Sequence, residues 1–140
     1  MREQGVPPKL LDVLRLDGYA RLLGIELEEV RPGYARASME ARGEHRNFLG
    51  VTHGGVVFSL ADTAFAAASN SHNQQAVAIS ATIHFLRAPS PGRISAECFE
   101  EHRGSRLGFY RVEVRDGSGE VVAAMQALVY RRDAPVVSGG

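Results

Sequence analysis

A chain of 140 residues with 16 basic and 16 acidic side chains carries no formal net charge, so no global field draws it to nucleic acid or to an anionic membrane. This length lets roughly two-thirds of the unfolded surface be buried, enough for one domain without disulfides or a structural metal. The apolar stretches are too short and too interrupted to span a bilayer. The N-terminal MREQGVPPKLLDVLRLDG has no signal-peptide h-region, and the single cysteine, Cys98, excludes an internal disulfide and fits a reducing cytoplasm.

Pro7 and Pro8 precede a helical pattern of Leu10, Leu11, Val13 and Leu14, taken up after Gly18 by Leu22 and Leu23. The spacing predicts a short N-terminal helix ending near Gly24. Ile25 to Val30 is a weak strand, and Pro32-Gly33 a turn. Ala35 to Ala41 alternates, with Ala35, Ala37, Met39 and Ala41 on one face and Arg36, Ser38 and Glu40 on the other. Arg42 to Thr52 is a loop. A helix runs from roughly Gly54 to Ser69 and is closed by the polar stretch Asn70 to Gln75. Its surface is nearly all apolar, so something must wrap it on several sides. Four strands follow: Val77 to Arg87, stopped by Pro89 and Pro91; Arg93 to His102; Leu107 to Arg115; and Glu120 to Arg131. Turns fall at Arg103-Gly104-Ser105 and Asp116-Gly117-Ser118-Gly119. Cys98 sits in an alternating run and reads as core packing. Short connections between consecutive strands predict antiparallel pairing. An α+β fold, with an antiparallel sheet curled around one long central helix, is the economical way to bury that helix. The expected division is an N-terminal helical extension over 1–24, a main domain over 25–132 and a flexible tail over 133–140.

Asp62 is the only ionisable side chain from Gly54 to Ser69. A lone carboxylate among Val56, Val57, Phe58, Leu60, Ala61, Ala64 and Phe65 is costly unless something pairs with it or uses it. Neighbours such as Ser59 or Ser69 offer a structural partner; an acid with a perturbed pKa in such a place otherwise marks a functional site. Gly54 and Gly55 open the helix, leaving backbone N–H groups free for an anionic or polarised oxygen, with the helix dipole adding favourable potential. They also make a tight turn. Acid plus oxyanion donors is the pairing that acyl transfer requires. His53 either hydrogen-bonds the Asn47 loop or acts directly, and Asn47 either holds a turn or faces the site. Ser59 and Ser69 make no serine-hydrolase case, since there is no GxSxG. His45, His72, His84 and His102 lack ligand spacing, so neither a metal site nor a cofactor is expected.

Asn47, His53-Gly54-Gly55 and Asp62, with LADTAFAAASNS (Leu60 to Ser71) and IHFLR (Ile83 to Arg87), resemble the hotdog-fold acyl-CoA thioesterases of the phenylacetate-degradation (PaaI) type. The likeness covers roughly Leu23 to Tyr130 by element order. It implies a hotdog fold, a homodimer with one continuous sheet and often a dimer of dimers, giving a homotetramer. It also implies cytoplasmic hydrolysis of an acyl-CoA such as aryl-acetyl or hydroxyphenylacetyl-CoA, at sites built from both subunits. The resemblance places the catalytic carboxylate at Asp62, as general base or as nucleophile, and the carbonyl-polarising N–H at Gly54. Asn47 and His53 then help position water or thioester, and Gly55 lies against the substrate. Arg87, Arg103 and Arg106, near strand ends and turns, are candidates for the CoA phosphates, against the plainer reading of solvated hairpin tips. A hotdog hydratase or dehydratase and a non-catalytic acyl-CoA-binding module are the rivals. An Asp rather than a His at the catalytic position argues against the first, and retention of the acid against the second.

Overall fold

The structure, a computed structural model, describes residues 5–139; residues 1–4 of the expected extension and residue 140 of the expected tail lie outside it. The N-terminal leucine pattern forms two helices rather than one, α1 (Pro8–Leu14) and α2 (Gly18–Leu23). The break has a local cause. Asp17 caps α2 by accepting the Ala20 N–H at 3.0 Å, while Arg15 donates to the Leu27 carbonyl from Nε at 3.1 Å and Nη2 at 2.9 Å.

Next come β1 (Glu26–Arg31) and β2 (Tyr34–Ala41), a loop containing a 3-10 turn at Gly43–His45, and α3 (Gly54–Ser69). Strands β3 (Ala76–Phe85), β4 (Gly92–Arg103), β5 (Leu107–Arg115) and β6 (Val121–Arg131) follow. They form one six-stranded sheet, ordered β1-β2-β4-β5-β6-β3, with every pairing antiparallel. The long helix lies in its concave face, which is the hotdog arrangement. Val57, Leu60, Ala61, Ala64, Phe65 and Ala68 of α3 meet Ala35, Ala37 and Met39 of β2, Ile94, Ala96 and Cys98 of β4, and Tyr110, Val112 and Val114 of β5, all buried. Alanines on both sides let the helix sit close to the sheet, and Phe65 packs edge-on to Tyr110 with centroids 5.6 Å apart. Each large apolar side chain so buried stabilises the fold by about 1.5–3 kcal/mol. The helix lies mainly over β2, β4 and β5, so β3 at the far edge stays exposed along most of its length.

Short connections suggested that consecutive strands pair, yet β3 and β4 do not touch. Residues 86–91 carry the chain past the ends of β6 and β5, about three strand spacings or ~14 Å, to set β4 beside β2. Pro89 and Pro91 have no N–H to pair with a strand. The crossover is tied to the β5–β6 turn by Asp116. Its Oδ2 accepts the Ser90 N–H at 3.0 Å and Arg87 Nη2 at 2.8 Å, and its Oδ1 accepts the Ser118 N–H at 3.0 Å. Hydrogen bonds from Ser118 and Ser90 hold the Asp116 carboxyl below the ordinary carboxylate range.

The far end of α3 is closed by charge. Arg131, fully buried at the end of β6, donates from Nη1 to the Ser69 carbonyl at 3.0 Å, satisfying one of the helix's terminal acceptors. Its Nη2 lies 3.5 Å from Glu100 Oε1, which also accepts the Tyr110 hydroxyl at 2.7 Å and contacts His72 Nε2 at 2.8 Å. Burial pushes the Glu100 pKa up, but Tyr110, His72 and the Arg131 charge prevail and hold it below the ordinary value. Residue 108 must be glycine here, because a Cβ would stand 2.8 Å from Arg131 Nη2 and 2.9 Å from the Tyr110 ring. The segment after β6 is fastened to the same end. Asn73 Oδ1 accepts the Val136 and Val137 N–H groups at 3.1 and 2.9 Å, the Gln75 N–H donates to Ala134 O at 2.9 Å, and Val137 is buried.

Removing the Glu100 carboxylate leaves the Arg131 charge buried beside neutral groups. Glu100→Ala should lower unfolding free energy by about 3 kcal/mol in denaturant titration, with Glu100→Gln milder because its amide oxygen still accepts from Tyr110. The lowered Glu100 pKa contributes stability that is present above the unfolded carboxylate pKa and lost as pH falls through the folded one. The parent should therefore show a larger acid loss than Glu100→Gln, which keeps the share owed to Asp116.

Candidate active site

Along α3 the side not covered by the sheet carries Gly55, Phe58, Asp62 and Ala66, spaced three and four residues apart and so aligned on one face. Asp62 is the one charge on it. Its carboxylate is half-buried and takes no hydrogen bond or ion pair among the described residues. Neither Ser59 nor Ser69 partners it: Ser59 Oγ bonds the Gly55 carbonyl at 2.8 Å and Ser69 Oγ the Ala66 carbonyl at 3.2 Å. Burial raises the Asp62 pKa, and the charge of Asp17, from the start of α2, raises it further.

The N-terminus of α3 has a matching asymmetry. The Gly55 N–H is taken by His53 Nδ1 at 2.8 Å, and the Val56 and Val57 N–H groups reach the His53 carbonyl at 3.0 and 3.3 Å. The Gly54 N–H makes no hydrogen bond among the described residues, which leaves it as the open donor of the first turn. Phe85 of β3 borders it, 3.4 Å from where a Cβ on Gly54 would stand. Gly55 has a structural reason of its own, since a Cβ there would lie 3.0 Å from His53 Nδ1 and break the cap. With Nδ1 accepting, a neutral His53 carries its proton on Nε2, on the exposed side of the ring.

Asn47 holds its turn. Its Oδ1 accepts the Leu49 and Val51 N–H groups at 2.9 and 3.3 Å, and its backbone pairs with Val51 and Gly50. The carboxamide nitrogen is unengaged among the described residues. Asn47, His53, Gly54 and Gly55 thus share one corner, and Asp62 lies on the same helix farther along. The arginines are elsewhere. Arg87 is joined to Asp116, Ser118 and Glu120 at the crossover. Arg103 and Arg106 are at the opposite end of the sheet from Phe85, about 20 Å along β5. Arg106 is bound by both Nη atoms to Asp133 at 2.7 Å, while Arg103 makes no side-chain hydrogen bond or ion pair among the described residues.

Three residues near Asp62 have no signal in sequence. Tyr19 brings its hydroxyl to Ser59 Oγ at 3.2 Å, and Asp17 and Thr63 line a cavity of about 300 Å³ between α2, β1 and α3. Among the described residues no three His, Cys, Asp or Glu side chains converge as a metal site needs, and no helix is long and apolar enough to cross a membrane.

Residues 49–123 match the sequence pattern of the Thioesterase superfamily. The chain is similar to a protein of Archaeoglobus fulgidus whose name assigns it provisionally to the esterases, at 39% identity over 82% of this chain and 75% of that one. It is also similar to the Escherichia coli acyl-coenzyme A thioesterase PaaI, at 36% identity over 82% and 83%. Among solved structures, the E. coli PaaI protein of the phenylacetic acid degradation operon superposes with a TM-score of 0.87, covering 91% of this chain and 93% of that one at 33% identity. The TT0310 protein of Thermus thermophilus gives 0.79, with 83% and 98% covered at 37% identity.

An unpaired, half-buried carboxylate destabilises the fold that holds it. A folded pKa raised above the unfolded one favours the protonated form, so Asp62's contribution to stability is present below the unfolded pKa and lost as pH rises through the folded one. Asp62→Asn should therefore melt at an equal or higher temperature than the parent at pH 7, with the advantage shrinking as pH falls through the carboxylate range. A lower melting temperature at pH 7 would mean that Asp62 has a partner.

Proposed function

The chain belongs to the Thioesterase superfamily and is a thioester hydrolase of hotdog fold, and from that premise we propose that it hydrolyses an acyl-CoA to free acid and CoA. The acyl group we assign is aryl-acetyl, such as hydroxyphenylacetyl, which puts the enzyme in phenylacetate degradation in the cytoplasm. The single observation that carries this reading is Asp62, a carboxylate with no partner among the described residues on the one uncovered face of an apolar helix. Its electron pair attacks the thioester carbonyl directly or takes a proton from the attacking water. The Gly54 N–H holds the developing oxyanion at the positive end of α3. With Asp62 as base, water adds to the carbonyl carbon and the C–S bond breaks; with Asp62 as nucleophile, the C–S bond breaks to leave a mixed anhydride that water then hydrolyses, freeing the acid and restoring Asp62. Either way CoA leaves as a thiolate, stable enough to need no strong general acid. Asn47, through its unengaged amide nitrogen, and His53, through Nε2–H, orient water or carbonyl from the same corner, with Gly55 against the substrate.

One chain does not hold both halves. Asp62 lies eight residues beyond Gly54, about 12 Å along the helix axis, whereas one thioester carbonyl must lie ~3 Å from both groups. Two copies related by a two-fold axis near Phe58, with their α3 helices antiparallel and side by side, bring Gly54 of one opposite Asp62 of the other, twice. The edge strand β3 supports that arrangement. It has a free backbone edge and exposes Val77, Ile79 and Phe85. A homodimer with one continuous sheet removes that edge, and a pair of such dimers makes the homotetramer. Arg103, with Arg106, is assigned to the CoA phosphates, a distance from Gly54 that suits a ligand whose charged end is remote from its reacting carbonyl. Arg87, held by Asp116, has no part in this reading. Cys98, buried with its thiol pKa pushed up by desolvation, is unreactive and suits a reducing compartment.

Asp62→Asn preserves volume and removes the base. Free-thiol release from a panel of acyl-CoAs should show kcat down by roughly a hundredfold to ten-thousandfold with the assembly intact; near-parental turnover on the best substrate would move the catalytic acid away from Asp62, and no release by the parent on any acyl-CoA would favour a binding module. Light scattering on the eluting protein should give at least twice the 15.1 kDa of one chain, and a monomer at micromolar concentration would remove the two-copy site.

A further inference from the structure

Two exposed apolar groups flank the two halves of the proposed site. At the acid end, α2 presents Tyr19 and Leu22, 60% and 74% exposed. The Tyr19 hydroxyl lies 3.2 Å from Ser59 Oγ, which places its ring beside α3, and Ser59 lies one turn before Asp62 and Thr63. At the donor end, Phe48 and Leu49 cap the turn between Asn47 and Thr52; among the described residues Phe48, at 95%, is the most exposed large apolar side chain, and Leu49, at 72%, follows Leu22. The turn is firmly built. Asn47 and Val51 pair backbone to backbone at 2.8 Å, Gly50 closes on Asn47 at 3.0 Å, Arg46 bridges Thr52, and the Asn47 side chain binds the Leu49 and Val51 N–H groups from within. Ordering a turn to hold a phenylalanine in water forgoes about 1.5–3 kcal/mol of burial, which marks a surface that is covered in use.

Within one chain Tyr19 and Phe48 belong to opposite halves. With two α3 helices antiparallel about Phe58, whatever precedes Gly54 in one copy comes to lie beside whatever covers Asp62 in the other. We infer that Tyr19 of one copy and Phe48 of the other enclose the acyl group between them, so that acyl selectivity is set by two side chains from different chains. This rests on the two-copy site proposed above. On the α2 side lies a cavity of about 300 Å³ whose wall mixes Ala20, Ile25 and Leu27 with the charged Arg15, Asp17 and Arg21.

Co-expressed copies with different tags, isolated as mixed assemblies, test this. One copy carries Asp62→Asn, so that the working acid comes only from the other. Free-thiol release is compared for a short straight-chain and a bulky aryl acyl-CoA. Phe48→Ala on the Asp62→Asn copy, or Tyr19→Ala on the other, should change the ratio of the two kcat/KM values on the order of tenfold, the scale at which an apolar pocket discriminates. Tyr19→Phe, which keeps the ring and the fold, should retain the parental ratio. A ratio that changes only when each substitution sits on the opposite copy overturns the enclosure across copies, and so does a ratio unmoved when both substitutions are present in every chain. A monomeric parent, or a fully active Asp62→Asn assembly, instead overturns the two-copy site beneath it.

Discussion

A helix apolar on nearly every side cannot be buried by one flat surface, and the architecture of this chain follows from that. The sheet curls, its inner residues are small where α3 comes closest, and the coverage is still incomplete. Sheet and helix meet over β2, β4 and β5, so the strip from Gly55 through Phe58 and Asp62 to Ala66 stays outside. The same constraint sets the helix ends. The first turn opens toward solvent with most donors satisfied by His53 and one left over, while the carbonyls of the last turn are taken by Asn70 and Ser71 and, for Ser69, by the buried Arg131. The ends therefore differ chemically: an unfilled donor at one, a saturated acceptor at the other.

Much of this was legible in order of residues. The bounds of α3 are marked by glycines before it and a polar stretch after it, and β5 begins and ends where alternation and turn residues place it. Alternation along β2 and β4 identified the inner face. What sequence does not carry is which strands lie side by side. The run from Leu86 to Pro91 is as short as a hairpin connection, and only the contacts of Asp116 with Ser90 and Arg87 make it a crossover. Arg87, near a strand end, looked like a ligand contact for the same reason and turns out to be occupied by that crossover.

The candidate site divides along the same line. Asp62 and the glycines announce themselves because each is the wrong residue for its surroundings: a charge in an apolar run, and two flexible residues opening a helix. Asn47 and His53 each use one side-chain atom to hold local structure, Asn47 its own turn and His53 the Gly55 N–H rather than the Asn47 loop, and each leaves another atom unengaged among the described residues. Asp17 and Tyr19 had no such signature. Their place beside α3 depends on α2 turning back over the sheet, which follows from the break at Arg15 to Asp17 rather than from any periodicity. The buried set of His72, Glu100, Tyr110 and Arg131 was invisible for a related reason: its members come from a loop and three strands, and each alone reads as an ordinary surface residue or a strand aromatic.

The crossover also bears on how the chain reaches this structure. The β4–β5 and β5–β6 pairings join neighbours in sequence and close small loops, so they can form early. Strand β3 docks on β6 through pairs such as Ala76 with Arg131, a closure that encloses most of the second half of the chain. The Asp116 turn over which residues 86–91 pass must exist before they can be tied to it. Strand β2 reaches β4 through pairs at least as distant, such as Tyr34 with Phe99, so both outer parts of the sheet are added to the β4–β5–β6 meander, and until then β4 and β6 are its open margins.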